Sequence, residues 1–456
     1  MTAARGDHLT EGQGTTNGMN ALLITGARLL GRDAADILVA DGRIVEVGSL
    51  EAPQGARVID ADGLVALPGL VDLHTHLREP GREDAETIAS GSEAAAAGGF
   101  TAVFAMANTS PVTDTAEAAE RVLDLGRACG LVDVVPVGAV TAGLGGERLA
   151  ELGLMARSRA GVRVFSDDGR CVADGRIMRR ALEYIKPFGG VISQHAQDPR
   201  LADSSACCHE GEVSGRLGLP GWPGVAEEAI VARDVMLARH TGSRVHVAHV
   251  STAGTVEVIR WARAQGIAVT AEVTPHHLAL TTDLLVGYDP VYKVNPPLRP
   301  SDDVEALREA LVDGTIDVVA TDHAPHARHD KEHAFVDAAF GMVGLETALP
   351  VVSELLVRSG RLDWADVARI MSVGPARIGG LTDHGRPLAV GEPANLTLVD
   401  PDRALTVDAA ASRSRSRNNP WHGRTFTGAV HTTIHRGRVS HTVDATTRTA
   451  EAEYAQ

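Results

Sequence analysis

Short apolar runs alternate with longer amphipathic segments through the middle of the chain. The apolar runs fall at residues 70–76, 101–106, 134–140, 161–166, 191–195, 245–250, 268–273 and 317–322. Such runs are typical of strands that are buried on both faces of a parallel sheet. Helical patterns rich in Ala, Glu and Arg lie between them, at 87–97, 115–128, 175–185, 227–241, 255–264 and 303–312. Eight strands alternating with helices over about 250 residues predict an α/β fold, a (β/α)8 TIM-like barrel, although an open doubly wound sheet would show the same alternation.

Both ends of the chain have a different sequence pattern, in which short runs of β-branched residues are separated by Gly and Asp-Gly turns. These runs fall at 21–30, 36–40, 43–47, 57–60 and 63–67, and again at 395–399, 404–407, 423–426, 430–435 and 437–442. The first set predicts a small antiparallel unit. We therefore predict a small β-sandwich built from both chain termini, with an N-terminal part at 21–67 and a C-terminal part at 381–445. The barrel is assigned to 68–380, the segments 1–20 and 446–456 to disordered tails, and SRSRSR at 412–417 to a solvated loop.

Composition and charge exclude several classes of function. The 456 residues include 43 Lys and Arg against 59 Asp and Glu, which gives a net charge of −16 and argues against nucleic acid or an anionic membrane as a partner. No run approaches the roughly 18 apolar residues of a membrane-spanning helix, and the first 20 residues lack the apolar core of a signal peptide. The four cysteines form no C-x-x-C pair and are expected to be reduced thiols. These features predict a soluble, cytoplasmic protein.

Residues with metal-binding side chains follow the predicted strands at the ends where a barrel carries its active site. They are His74 and His76 after the first strand, Asp167 and Asp168 after the fourth, His195 after the fifth, His249 after the sixth, and Asp322 after the eighth. Residues two apart on a strand face the same side, so His74 and His76 can reach one ion. Imidazoles and carboxylates gathered at one rim predict a divalent metal site, and Zn²⁺ fits this donor set best. Other histidines, including His246 and His384, are interpreted as ordinary hydrogen-bonded residues.

These residues lie in motifs that resemble those of the dihydroorotases, in particular the long bacterial type within the amidohydrolase superfamily. The segments DLHTHLREPG at 72–81 and TDHAPH at 321–326 are the most specific. FSDDG, HVST, TPHH, KVNPPLR and GMVGLE occur in the family's order, and the resemblance extends over about residues 21 to 440. It implies a zinc-dependent cyclic amidohydrolase that interconverts N-carbamoyl-L-aspartate and L-dihydroorotate in pyrimidine biosynthesis.

The resemblance also implies a role for each candidate residue. His74, His76 and Asp322 would hold one Zn²⁺, His195 and His249 a second, and Asp168 would bridge the two together with a hydroxide. Asp167 is the alternative bridge, because only one of two successive strand residues can face the site. Asp322 would also act as general acid and base.

Substrate contacts form a second implied set. Arg78, two residues beyond His76, can pair bidentately with a substrate carboxylate. The resemblance adds His76 itself, Asn108, Asn295, His326 and the backbone near Phe340 and Gly341. The charged segment 328–339 is predicted to be a mobile loop over the site.

The scarcity of lysine separates the alternatives. The chain has only Lys186, Lys293 and Lys331, whereas hydantoinase-like relatives bridge two metals with a carboxylated lysine after the fourth strand. A hydantoinase- or allantoinase-like amidase is therefore the less favoured enzyme. A non-catalytic subunit beside aspartate carbamoyltransferase is a third alternative, but such a chain should lack part of the ligand set. We expect a small-molecule substrate, a homo-oligomer and a complex with aspartate carbamoyltransferase. The sequence leaves open the oligomeric state, the number of bound ions and any dependence on that partner.

Overall fold

The computed structural model describes residues 21–443, and the tails predicted at 1–20 and 446–456 lie outside this part of the chain. The first strands are β1 (Leu22–Leu29), β2 (Ala34–Ala40), β3 (Arg43–Gly48), β4 (Arg57–Asp60) and β5 (Val65–Pro68). The central strands are β6 (Leu70–Thr75), β7 (Phe100–Ala105), β8 (Asp133–Pro136), β9 (Val164–Phe165), β10 (Val191–Gln194), β11 (Cys208–His209), β12 (Gly221–Trp222), β13 (Val245–Val247), β14 (Val269–Val273) and β15 (Val318–Val319). The last strands are β16 (Leu396–Thr406), β17 (Thr425–His435) and β18 (Arg438–Thr442).

The helices occupy the connections between the central strands and the segment that follows β15. They are α1 (Ile88–Ala97), α2 (Ala116–Cys129), α3 (Leu152–Arg157), α4 (Gly175–Ile185), α5 (Glu212–Leu217), α6 (Val225–Thr241), α7 (Ala253–Ala264), α8 (Ser301–Val312), α9 (Arg328–Lys331), α10 (Ala348–Val352), α11 (Trp364–Ala368) and α12 (Gly374–Gly379). Threonine caps begin several of them: the Thr87 hydroxyl accepts from Ser90 N, and the Thr115 hydroxyl accepts from Ala118 N. No helix within residues 21–443 is both long and apolar enough to cross a membrane.

Eight central strands run parallel, and the predicted α/β alternation is confirmed. β6, β7 and β8 form one sheet, and β9, β10, β13, β14 and β15 form another. Parallel bridges between Gly138 and Phe165 and between Thr75 and His323 connect the two groups on both sides. Several strands end earlier than predicted. His249 and Asp322 adopt left-handed φ values of 29° and 46°, which interrupt the extended backbone after β13 and β15.

Strands from the two chain ends share one sheet, in the order β18-β17-β16-β5-β1-β2-β3, with β4 beside β1. The two halves meet where β16 pairs antiparallel with β5. The prediction of a purely antiparallel N-terminal unit is wrong, because residues 49–56 cross back to the start of β1 and leave β4 and β5 parallel to it. The four runs predicted between 395 and 435 are two long strands, whose pairing shifts register between Asp400 and Ala404.

The segment at 412–417 is a loop, as predicted, but only part of it is solvated. Ser414 and Ser416 are buried, whereas Arg413, Arg415 and Arg417 are exposed. The Ser414 hydroxyl donates to Glu86, and the Ser416 hydroxyl donates to Ala85 O at 2.7 Å. Ser412 makes a similar hydrogen bond to Glu346. Buried and exposed residues alternate along the segment, and its serines hold the buried Glu86 and the half-buried Glu346, so its arginines face the solvent.

Candidate active site

The six predicted metal ligands lie together at the carboxyl ends of the parallel strands. They come from β6 (His74), the residues directly after it (His76), and the turns after β9 (Asp168), β10 (His195), β13 (His249) and β15 (Asp322). Each is at most 5% exposed to solvent, although each is a polar or ionisable residue. Burial of so many titratable groups is costly unless they bind one another or an ion, so this cluster is the candidate active site.

Asp168 lies at the centre of four imidazoles. Its Oδ1 is 3.2 Å from His74 Nε2 and 3.3 Å from both His195 Nδ1 and His249 Nε2. Its Oδ2 is 3.3 Å from His76 Nε2. Three nitrogens around one oxygen exceed what the two lone pairs of a carboxylate oxygen can accept as good hydrogen bonds. The arrangement is that of ligand atoms gathered around a cation.

The other contacts of the cluster agree with metal binding. Asp322 Oδ1 lies 3.0 Å from His76 Nε2 and 3.5 Å from His74 Nε2, and the facing nitrogens of His195 and His249 are 2.9 Å apart. Ligand atoms about 2.0–2.1 Å from a tetrahedral zinc ion stand about 3.3 Å from one another, close to most of these separations. His74 Nε2 is fully buried yet makes no hydrogen bond. The residues therefore fit a divalent metal centre.

Adjacent carboxylates after β9 have different roles. Asp167 accepts hydrogen bonds from the backbone N–H groups of Val140 and Thr141 at 2.8 and 2.9 Å and from the Thr141 hydroxyl, so it holds the loop after β8. Asp168 alone faces the imidazoles. Of the two bridging candidates left open by the sequence, Asp168 has the position that the role requires.

Glu272 in β14 supports the cluster from behind, and the sequence analysis did not identify it. Its Oε1 lies 2.7 Å from His74 Nδ1 and accepts from the His249 backbone N–H at 3.3 Å, and its Oε2 is 3.0 Å from His246 Nε2. A carboxylate on the outer nitrogen of a ligating histidine fixes its tautomer and ring orientation. The one feature of the sequence that could have indicated this role is the presence of an acidic residue within an apolar strand. His246 belongs to this support, in agreement with its assignment as a hydrogen-bonded residue.

Electrostatics keep the carboxylates of the cluster ionised. Burial raises the pKa of Asp168 and Asp322, but the charge and hydrogen bonds of the surrounding imidazoles outweigh it and hold both pKa values below the usual range. Burial likewise lowers the pKa of His74, but Asp168 and Asp322 outweigh it and leave that pKa well above its ordinary value. The site therefore favours a net positive charge at its centre.

Arg78 and His326 lie beside the cluster. Arg78 adopts a φ of 60°, donates from Nε to Pro325 O at 3.0 Å, and has one terminal nitrogen 3.4 Å from His326 Nε2. Burial lowers the pKa of Arg78 to about 10, so the guanidinium stays charged at neutral pH. Burial also lowers the pKa of His326 to about 3, so its ring is neutral at neutral pH. The ring donates a hydrogen bond from Nε2 to Phe340 O at 2.7 Å.

Asn108, Asn295 and His276 complete the polar lining. Asn108 Oδ1 is 2.9 Å from His76 Nδ1, so this predicted substrate contact also orients His76. Asn295 donates to Gln197, but its buried Oδ1 has no partner. His276, whose role was not predicted, is buried with Nε2 unpartnered, and burial lowers its pKa to about 4. Two unpaired neutral groups of this kind suit the polar edge of a small ligand.

The predicted contacts Phe340 and Gly341 are held by two of the three lysines. Lys331 Nζ donates to Ala339 O at 2.8 Å and to Gly341 O at 3.1 Å, and Lys293 Nζ lies 4.3 Å from the centre of the Phe340 ring. Gly341 has a φ of 137°, and a Cβ there would stand 2.7 Å from Ala324 Cβ. The third lysine, Lys186, is exposed and donates to Thr241 O. It therefore lies outside the cluster and cannot take the bridging position that Asp168 occupies.

Comparisons with known proteins agree with this geometry. One family profile, described as Dihydro-orotase-like, matches residues 63–255, and another, described as Amidohydrolase family, matches residues 224–440. The chain is 61% identical over 423 residues to a dihydroorotase from Streptomyces coelicolor, covering 92% of this chain and 98% of that relative. It is 57% identical over 422 residues to a dihydroorotase from Mycobacterium tuberculosis, with the same coverage of both chains.

Solved structures give the same architecture. An L-hydantoinase (dihydropyrimidinase) from Arthrobacter aurescens has a TM-score of 0.80 and 28% identity, covering 92% of this chain and 95% of that chain. All six residues of the buried cluster fall within the segments that the two family profiles match. With relatives more than half identical along nearly their whole length, the chain belongs to the dihydroorotase family of the amidohydrolases.

Proposed function

We propose that this protein is a dihydroorotase that catalyses the reversible cyclisation of N-carbamoyl-L-aspartate to L-dihydroorotate in pyrimidine biosynthesis. The observation that carries the proposal is Asp168, a carboxylate among four imidazoles with no lysine at its position. The sequence relatives named dihydroorotase support the same activity. The reaction closes or opens a cyclic amide, which requires an activated water, a polarised carbonyl and a proton carrier.

The metal centre follows from the same residues. His74, His76 and Asp322 would hold one ion, His195 and His249 would hold a second, and Asp168 would lie between them. We propose Zn²⁺ for both, since imidazole and carboxylate are its usual ligands. A bound divalent ion supplies Lewis acidity, which lowers the pKa of water and polarises the substrate carbonyl.

Asp322 is proposed to carry the proton. In the direction of ring opening, its carboxylate accepts a proton as water adds to the ring amide, and then returns that proton to the departing nitrogen. In the direction of ring closure, it accepts a proton from the carbamoyl nitrogen and delivers it to the departing carboxylate oxygen, which leaves as water after a second proton has been taken up from solvent. Its pKa, held below the usual range by His74 and His76 despite burial, keeps the carboxylate ionised and therefore able to accept a proton.

The substrate is an anion, so the net charge of −16 provides no overall attraction. Arg78 is proposed to bind its carboxylate as a bidentate pair. Asn295, His276 and His326 would bind the polar edge of the ring, and the backbone at Phe340 and Gly341 would receive the ring amide. The loop at residues 328–339, which includes Lys331, would close over the site.

For the fold we propose that the eight parallel strands close into one barrel of residues 68–380. The bridges from Gly138 to Phe165 and from Thr75 to His323 support this closure. We also propose that the terminal sheet folds on itself as a sandwich, with parts at 21–67 and 381–445. Its support is a separate buried core that includes Ile24, Ile37 and Leu398.

A hydantoinase-like activity is the second candidate, because one of the similar solved structures is named an L-hydantoinase. The experiment that separates the two compares ring opening of L-dihydroorotate and of hydantoin by the same metal-loaded preparation. The proposal predicts turnover of dihydroorotate and at most weak turnover of hydantoin. Turnover of hydantoin alone would contradict it.

Two proposals concern partners. We propose that the chain forms a homo-oligomer and that it binds aspartate carbamoyltransferase. Sedimentation of the purified chain tests the first, and co-sedimentation with that enzyme, with activity measured in both samples, tests the second.

A further inference from the structure

A second group of metal-binding side chains lies at the opposite ends of the parallel strands. Asp133 is the first residue of β8, whereas the active-site ligands follow strand carboxyl ends. His384 lies between α12 and β16, and His435 is the last residue of β17. The cluster thus brings together a central strand, the terminal sheet and the segment that connects them, and nothing in the proposed reaction uses it.

The ligand atoms of this cluster converge. His384 Nε2 is 2.7 Å from Asp133 Oδ2, and His435 Nε2 is 3.4 Å from Asp133 Oδ1. One ligand atom from each of the three residues lies within 4.8 Å of the others. The imidazole rings are nearly parallel, at an interplanar angle of 13° with their centres 6.3 Å apart. The separations of 2.7 and 3.4 Å lie on either side of the about 3.3 Å expected between ligand atoms around one tetrahedral ion.

One nitrogen of the cluster lacks a partner. His435 Nε2 is buried, with a side chain only 7% exposed, and it makes no hydrogen bond. The ring orientation of His384 is fixed, because its Nδ1 lies 3.1 Å from the Thr101 hydroxyl. Its other nitrogen, Nε2, therefore faces Asp133. A buried imidazole nitrogen without a partner is costly, and an ion at this point would satisfy it.

Asp133 provides the negative charge, and the surroundings hold its position. Burial opposes its ionisation, but hydrogen bonds from His384 and Arg436 and the charge of His384 hold the pKa of the carboxyl well below its usual range. Arg436 donates to Oδ2 at 2.7 Å, so Oδ1, which faces His435, is the oxygen open to an ion. Asp133 and His435 border a cavity of about 800 Å³ that is also lined by Asn395 and by four arginines, Arg43, Arg127, Arg436 and Arg438. Water from that cavity can supply the remaining ligands.

We propose that Asp133, His384 and His435 bind one divalent transition-metal ion, Zn²⁺ by its donor set, separate from the active site. Two imidazole nitrogens and one carboxylate oxygen, with water in the open position, form a usual zinc environment. The ion would join β8 to the terminal sheet and so fasten the two sheet systems together. This inference does not depend on the proposed reaction.

The test measures zinc in the full-length protein at a buffered free Zn²⁺ concentration. We expect wild type to bind one equivalent more than His435→Gln, His384→Gln and Asp133→Asn. His240→Gln, which changes an exposed histidine of α6, is the matched control and should bind as much as wild type. Equal zinc content in wild type and in folded cluster variants would overturn the proposal.

A direct observation covers the case in which the variants fail to fold. Anomalous diffraction at the zinc edge, from wild-type crystals grown with Zn²⁺, should show a peak among Asp133, His384 and His435 as well as at the active site. Anomalous density at the active site alone would show that the cluster is only a hydrogen-bonded Asp–His network, and would overturn the proposal.

Discussion

Glu272→Gln tests whether the carboxylate behind the cluster sets the metal affinity of His74. Glutamine has nearly the same shape, so it preserves the packing of β14 while removing the charge. In the structure His74 Nδ1 lies 2.7 Å from Glu272 Oε1 in a fully buried setting. An amide oxygen can still accept from Nδ1–H, but it stabilises the positive charge that develops on a metal-bound imidazole less well.

The magnitude follows from the loss of charge in one hydrogen bond. A hydrogen bond to a charged group contributes about 1.5–3 kcal/mol, and one between neutral groups contributes about 0.5–1.5 kcal/mol. The difference, on the order of 1–1.5 kcal/mol, corresponds to roughly tenfold weaker metal binding, the lower end of the range for such outer partners. Glu272→Ala also leaves the His249 backbone N–H without its acceptor, so we expect a larger loss.

The assay is competition for Zn²⁺ with a chelator of known affinity, on protein whose fold has been checked by circular dichroism. Glu257→Gln, which neutralises an exposed residue of α7, is the matched control and should bind zinc like wild type. If Glu272→Gln bound zinc within twofold of wild type, the carboxylate would not support His74, and its position would be only a matter of packing.

Three further predictions concern the proton carrier, the substrate carboxylate and stability. Asp322→Asn should abolish turnover while dihydroorotate still binds in calorimetry, because the proton carrier is lost and the pocket remains; near-normal turnover would remove Asp322 from that role. Arg78→Ala should chiefly raise KM, by the about 1.5–3 kcal/mol of a charged hydrogen bond, which is roughly 10- to 150-fold; an unchanged KM would show that Arg78 does not bind the carboxylate. Burial raises the pKa of Asp234 from 3.8 to about 6 despite its ion pair with Arg233. The native state therefore binds this proton more tightly than the unfolded state, and stability falls as pH rises from about 4 to above 6. In urea unfolding, wild type should lose up to about 3 kcal/mol more than Asp234→Asn between pH 4 and pH 7; parallel pH profiles would contradict this.

Sequence patterns predicted the parts of the fold that depend on local burial. Strands buried on both faces must be apolar along their length, so β6, β7, β10 and β14 were visible as runs. The ligands were visible because they come directly after those runs. The position of Asp168 could be predicted only as one of a pair, because one residue of offset decides which carboxylate faces the site and strand ends are poorly defined by sequence.

Features that depend on distant parts of the chain were not visible. Glu272 interrupts an apolar strand and acquires a role only when β6 and β13 bring His74 and His249 to it. The serines at 414 and 416 are buried beside exposed arginines, whose charge favoured the interpretation as a fully solvated loop. The burial was missed because Glu86, the partner of Ser414, lies more than 300 residues earlier in the chain.

The most direct test of the account is the rate of dihydroorotate formation from N-carbamoyl-L-aspartate. It is measured on zinc-loaded and metal-stripped protein, each alone and with aspartate carbamoyltransferase. We expect cyclisation by the zinc-loaded protein in at least one of these conditions, its loss on removal of the metal, and its return when Zn²⁺ is restored. Absence of cyclisation by folded, zinc-loaded protein both alone and with the partner, or an equal rate after the metal has been removed, would contradict the central claim.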